Sequence, residues 1–210
     1  MTCRVVVLLS GRGSNFRAIA EAALPIEIAA VISNRPQAAG LEYARERGIP
    51  AIALDHTQYA DRATYDAQLA DEVERHRPDL VVLAGYMRIL SPAFIACFEG
   101  RLLNIHPSLL PMFPGLHTHE RALEEGVKVH GCTVHFVTDK LDHGPIVIQA
   151  AVPVRADDTP ETLAARVLAQ EHRIYPQAVR WFAEGRLVNI HGRVNLKDDS
   201  TSQSVLSTGT

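Results

Sequence analysis

Cysteine is scarce. Cys3, Cys97 and Cys132 are the three in 210 residues, an odd number and widely spaced. That excludes a disulfide framework and a paired-cysteine zinc motif, and it fits a reducing compartment. Long apolar runs are absent as well. The N-terminal run at residues 5–9 covers five positions before polar residues take over. Such a run is too short for the core of a signal peptide and far below a membrane span. No charge sign dominates: 21 Lys and Arg stand against 24 Asp and Glu, a net charge of -3. There is therefore no electrostatic case for nucleic acid or an anionic membrane as partner. No internal repeat is present. The reading is a soluble cytoplasmic protein.

What the chain does have is apolar content, 47% hydrophobic residues, enough to bury a sizeable core in one domain. Strand-like runs at residues 4–10, 26–33, 51–54, 80–85 and 101–106 alternate with stretches of helical spacing ("NFRAIAEAA", "AAGLEYARERG", "DRATYDAQLADEVERHR"). Alternation of this kind predicts an α/β fold, a Rossmann-like, mostly parallel twisted sheet with helices on both faces. After residue 127 two strand-like runs, "VKVHGCTVHFV" and "PIVIQAAVPV", are joined by a turn containing Gly144 and Pro145. They predict antiparallel strands in the C-terminal half. A long amphipathic helix is expected over roughly residues 160–184. Residues 1–195 are expected to form the domain, and residues 196–210, poor in apolar side chains, a disordered tail.

Two stretches carry chemistry. "SGRGSN" (residues 10–15) lies between the first strand and the first helix, where a doubly wound sheet presents backbone N–H groups and a helix start to an anion. A dinucleotide fingerprint does not fit. Phe16 stands at the third glycine's place, and the second strand ends in Ser33 and Asn34, without an acid for a ribose. No Gly-Lys-Ser/Thr follows, so this is no Walker loop. The turn suits a single phosphate, or is simply a tight turn with a Ser or Asn helix cap.

The other stretch is "LLNIHPSLLPMFPGLHTHE" (residues 102–120), an apolar strand ending in Asn104 and His106 and followed by three prolines. Period-two alternation puts the amide and the imidazole on one face. A lone strand-end histidine is often just a hydrogen-bonded structural residue. Metal binding is a further alternative, since His106, His117, His119, His130, His135 and His143 crowd this half of the chain. Only His117 and His119 have ligand-like spacing, however, and no third ligand is evident. The remaining chemistry is acyl transfer without a covalent nucleophile. An amide N–H₂ and an imidazolium both donate to a developing oxyanion, and the imidazolium also manages protons. That role calls for a carboxylate beside the imidazole. "TDKLDHGP" offers two, Asp139 and Asp142, and either is equally suited to capping a turn.

With these residues in view the chain resembles the phosphoribosylglycinamide formyltransferases, the folate-dependent formyltransferase family of purine biosynthesis. "VLLSGRGSN", "VVLAGYMRILSP", "LLNIHPSLLPMFPGLHTHERAL", "VHGCTVHFVTDKLDHGPIVIQ" and "QEHRIYP" stand in family order over about residues 4–192. The resemblance implies formyl transfer from 10-formyltetrahydrofolate, a cosubstrate, to the primary amine of N1-(5-phosphoribosyl)glycinamide, with no metal. It implies Asn104, His106 and Asp142 as the catalytic set, and it selects Asp142 over Asp139. It assigns Gly13, Ser14, Asn15 and Glu171 to the ribonucleotide. To the folate it assigns Arg62, Met87, Arg88, Ile89, Leu90, Asn104, Thr138, Asp139, Lys140, Leu141 and Asp142. Helical spacing alone puts Glu171 on the core-facing stripe, where a buried carboxylate needs partners, and an ion pair with arginine is the alternative role. Leu168 departs from the family pattern, which has a polar residue there, so a secondary ribonucleotide contact is expected to be missing. The expected partners are small molecules, in a monomer or homodimer. Two rivals remain: a hydrolase releasing formate from the same folate, which needs no phosphate cradle, and a non-catalytic phosphosugar-binding module, which needs no catalytic set.

Overall fold

The computed structural model describes residues 2–197 and 202–207. They form two compact units that divide between Asn104 and Ile105.

The first unit is a doubly wound α/β layer. Its strands are β1 (Cys3–Leu9), β2 (Ile26–Ser33), β3 (Ala51–Ala53), β4 (Leu80–Leu83) and the start of β5 (Leu102–His106), in the order β3-β2-β1-β4-β5. All these pairings are parallel. Residues 5–9 and 80–82 are wholly buried, as expected for continuous apolar strands covered on both faces. Helices α1 (Ser14–Glu21), α2 (Ala39–Glu46), α3 (Arg62–Arg75) and α4 (Pro92–Cys97) cover them. α1 packs with α2 and α3 with α4, the two sides that right-handed crossovers dictate once the chain leaves β1 in opposite directions. Because β2 lies on one side of β1 and β4 on the other, the turn after β1 sits at the topological switch point, where such sheets bind ligands.

The second unit is built on a return of the chain. β6 (Val129–Phe136) and β7 (Ile146–Pro153) pair antiparallel, and α6 (Pro160–Ala183) packs across both. α6 starts at a capping box, Thr159 accepting from Thr162 N–H while the Thr162 hydroxyl accepts from Thr159 N–H, with Pro160 in the first turn. The capping box satisfies N–H groups that a helix start leaves open, and Pro160 has no N–H to leave open. The short helix α5 (Thr118–Glu124) and the hairpin β8 (Leu187–Ile190) and β9 (Arg193–Leu196) complete it. α4, α5, β8 and β9 are too short for hydrophobic periodicity to signal.

The tail expected to be disordered needs correction where it is described. Ser204–Leu206 form a strand, β10, parallel to β7. Leu206 is largely exposed, so backbone pairing holds this strand and not apolar packing. Gln203 Nε2 adds bonds to the Val147 and Val194 carbonyls. Residues 198–201 and 208–210 of that tail lie outside the described residues. Among the described residues no helix is long and apolar enough to cross a membrane.

Candidate active site

β5 ends in a buried histidine whose two ring nitrogens both face acceptors. His106 Nε2 lies 2.9 Å from the Phe113 carbonyl, and since a carbonyl only accepts, the nitrogen donates. Nδ1 lies 3.4 Å from Asp142 Oδ2. The same carboxylate oxygen accepts from Gly115 N–H at 2.8 Å, and Oδ1 lies 3.9 Å from His135 Nε2. His135 donates through Nδ1 to the Phe136 carbonyl. Burial, the largest influence, holds its imidazole below the usual range.

The chain reaches this geometry by bending sharply. The loop after β6 returns through Gly144, where a Cβ would come 1.8 Å from the Phe136 carbonyl oxygen, a space only glycine can enter. Asp142 itself takes a φ of 51°, in the left-handed region that costs most residues energy and that Asp tolerates better than most. Phe113, the carbonyl partner of His106, has a φ of 52°. Side chains of β6 and β7 tie down the proline-rich loop that carries it. Thr133 Oγ1 donates to the Ser108 carbonyl and accepts from Leu110 N–H. Gln149 Nε2 donates to the Leu110 carbonyl and to Thr133 Oγ1. The sequence left Asp139 and Asp142 open. In the structure Asp142 faces His106, and Asp139 is exposed.

Of the histidines that suggested metal, His106 and His135 both face Asp142. His117 pairs with Glu120 at 2.8 Å on the surface. His119 packs edge-on against His130, ring centroids 5.2 Å apart. No group of three His, Cys, Asp or Glu placed to hold a metal occurs among the described residues.

In the first unit Gly13 is the N-cap of α1, with φ 72° and no side-chain cap. A Cβ there would lie 3.1 Å from Gly40 Cα and 3.2 Å from Leu9 Cδ2. The start of α1, at Ser14 and Asn15, is thus closed by no Ser or Asn cap, and its N–H groups and positive dipole end suit an anion. Met87 and Ile89 are exposed, Leu90 is buried, and the Arg88 guanidinium lies over the Tyr65 ring at 4.9 Å. Arg62 is exposed at the first position of α3. Asn104 is half-buried, two residues before His106 along β5. In the second unit Thr138 is half-buried, while Lys140 and Leu141 are exposed. Glu171 is buried on α6, and its charge adds to burial in pushing the Cys132 thiol up. Leu168 is half-buried.

His135, Thr133, Gln149, Phe113 and Gly115 support the site without having been singled out as site residues in the sequence. Thr133 and His135 carried a signal, being two residues apart on β6 and so on one face. Phe113 and Gly115 act through backbone groups, which side-chain motifs do not mark.

The formyl transferase family model matches residues 3–179. The chain is 54% identical over 187 residues to phosphoribosylglycinamide formyltransferase of Escherichia coli, covering 87% of this chain and 88% of that one. It is 46% identical over 186 residues to the human trifunctional purine biosynthetic protein adenosine-3, of which it spans 18%. Among solved structures it resembles glycinamide ribonucleotide transformylase 1 from Symbiobacterium toebii, with a TM-score of 0.91 and 52% identity, covering 94% of this chain and 95% of that one.

A pH dependence follows from His130, which is 1% exposed. Burial, and then the neighbouring His119, push it from 6.5 down to about 4, against a hydrogen bond to the Pro107 carbonyl. The unfolded chain therefore takes up this proton at a higher pH than the folded one. Its contribution to stability is full above 6.5 and is lost as the pH falls toward 4, by about 2 kcal/mol at pH 5. Between pH 7 and pH 5 the wild type should lose more thermal stability than His130→Gln, which keeps a donor but does not titrate. Parallel losses in melting temperature would remove this account.

Proposed function

The chain belongs to the formyl transferase family, and from that premise we infer that it transfers the formyl group of 10-formyltetrahydrofolate to the primary amine of N1-(5-phosphoribosyl)glycinamide in purine biosynthesis. The observation that carries this is a likeness nearly full length in both chains to a phosphoribosylglycinamide formyltransferase, running through the strand end that holds Asn104 and His106. Residues 1–195 are taken as the formyltransferase domain.

The reaction forms one C–N bond and breaks another. The amine nitrogen attacks the formyl carbon, and the carbonyl electron pair moves onto oxygen. The tetrahedral intermediate then collapses with loss of the folate N10, which receives the proton that the amine gives up. Asn104 N–H₂ and His106 Nε2–H are the proposed donors to the oxyanion. In the structure that Nε2–H is given to the Phe113 carbonyl, so the formyl oxygen must displace this acceptor to take up the donor. An imidazolium, with a proton on each nitrogen, satisfies both Phe113 and Asp142, whereas a neutral ring satisfies one. Asp142 thus orients the ring and supports its charge, and it relays the amine's proton through a water. No step needs a metal. Gly13, Ser14 and Asn15 receive the phosphate, and Glu171 the ribose hydroxyls. Arg62, residues 87–90 and residues 138–142 receive the folate.

Incubating the purified chain with 10-formyltetrahydrofolate, with and without the ribonucleotide, tests the reading. Formylated ribonucleotide and tetrahydrofolate should appear together, and only when the amine is present. Formate released at the same rate without the amine would make the chain a hydrolase, and no turnover at all would leave a binding module.

Glu171 adds a second expectation. Glu171→Gln keeps the shape but weakens a charge-assisted bond, a loss of about 1 kcal/mol. The ribonucleotide KM should rise about fivefold, with folate KM and melting temperature little changed. A lower melting temperature with unchanged ribonucleotide KM would assign Glu171 to the core.

A further inference from the structure

Between β4 and α4 the segment 84–91 is held at two points by buried side chains from distant parts of the first unit. At one end Met87 N–H donates to Ser10 Oγ at 2.8 Å. The Ser10 hydroxyl has a single hydrogen, and it goes to Asn34 Oδ1 at 2.5 Å. The two bonds form one directed chain, and both Ser10 and Asn34 are almost fully buried. Ser10 N–H also bonds the Gly85 carbonyl at 3.1 Å. At the other end Ser91 N–H donates to Asp66 Oδ2 at 2.6 Å, and Asp66 is 1% exposed. Ser91 in turn caps α4 through its own hydroxyl.

The residues between the two clamps are held differently. Among the described residues no hydrogen bond engages the backbone N–H groups of Arg88, Ile89 and Leu90. The side chains of Met87 and Ile89 point outward, 63% and 55% exposed. Burying a carboxylate for one backbone N–H is costly. Here it secures the position of three backbone N–H groups that the fold itself does not use.

We propose that Ser10 and Asp66 are positioning residues: they stretch residues 87–91 between two fixed points, so that the open backbone groups form a preorganised ledge for the folate's polar ring edge. The inference rests on the reading that residues 87–90 line the folate pocket. Rigid placement lowers the ordering cost of binding, so losing a clamp should show in folate affinity.

The test combines kinetics with amide hydrogen exchange, using tetrahydrofolate as the probe. In the wild type the probe should slow exchange across residues 86–91. Ser10→Ala and Asp66→Ala should each raise the folate KM by about five- to tenfold, the effect of about one hydrogen bond. The ribonucleotide KM should stay within about twofold. Asp66→Asn, which keeps an oxygen for Ser91 N–H, should restore most of the affinity lost in Asp66→Ala. If Asp66→Ala does not fold, Ser10→Ala and Asp66→Asn carry the test, since both leave the packing nearly intact. Unchanged folate KM in Ser10→Ala, or an equal rise in both KM values, would overturn the proposal while slowed wild-type exchange upholds the folate reading. Exchange over residues 86–91 unaffected by tetrahydrofolate in the wild type would overturn that reading and the inference with it.

Discussion

A carboxylate withdrawn from water needs hydrogen-bonding or charged partners, and in the second unit Asp142 is surrounded by them. One of its oxygens accepts from Gly115 and faces His106, and the other faces His135. Much of the surrounding backbone is shaped by that requirement. Gly144 lets the loop fold back against the Phe136 carbonyl, Asp142 accepts a left-handed φ, and the proline-rich loop brings Gly115 N–H within reach. Thr133 and Gln149 then keep the loop from relaxing. The left-handed backbone at Asp142 and Phe113 lies where chemistry is proposed, and an ordinary hydrogen-bond network around it holds it in place.

The first unit handles the same problem at the ends of its strands. Its interior is apolar where β1 and β4 cross it, residues 5–9 and 80–82 being wholly buried. Among its buried polar side chains are Ser10 after β1, Asn34 after β2, and Asp66 from α3 toward the turn after β4. Each meets a hydrogen-bonding group of a turn or of another such side chain. An apolar core sets the frame, and a few buried polar groups fix the loops on it. Parallel α/β sheets place ligands at those same strand ends.

Much of this was legible in the sequence, for reasons that can be named. β1, β2, β4, β5, β6, β7 and α6 are long or strongly patterned, and hydrophobic periodicity finds them within a residue or two. The β6–β7 return was announced by Gly144 and Pro145. The Asn104–His106 pair stood out because two polar side chains at the end of an apolar strand break its pattern. Asp142 was not separable from Asp139 by spacing, because only the three-dimensional turn decides which carboxylate faces His106. Phe113 and Gly115 contribute a carbonyl and an amide that every residue possesses, so no composition or motif marks them. Ser10 was read as part of a glycine-rich turn, and its bond to Met87 spans 77 positions of the chain. β10 escaped because a backbone ladder needs no apolar side chains.

The proposed chemistry requires His106 and Asp142 to act as one unit, and a double-mutant cycle on kcat is the sharpest test of that coupling. Asp142→Asn and His106→Ala should each lower kcat by about 10²–10³, as losing an oxyanion donor does. The double mutant should be hardly slower than the worse single mutant, because residues that act together do not contribute independently. A double mutant whose loss equals the product of the two single losses would show that Asp142 and His106 work separately, and the proposed chemistry would have to be abandoned.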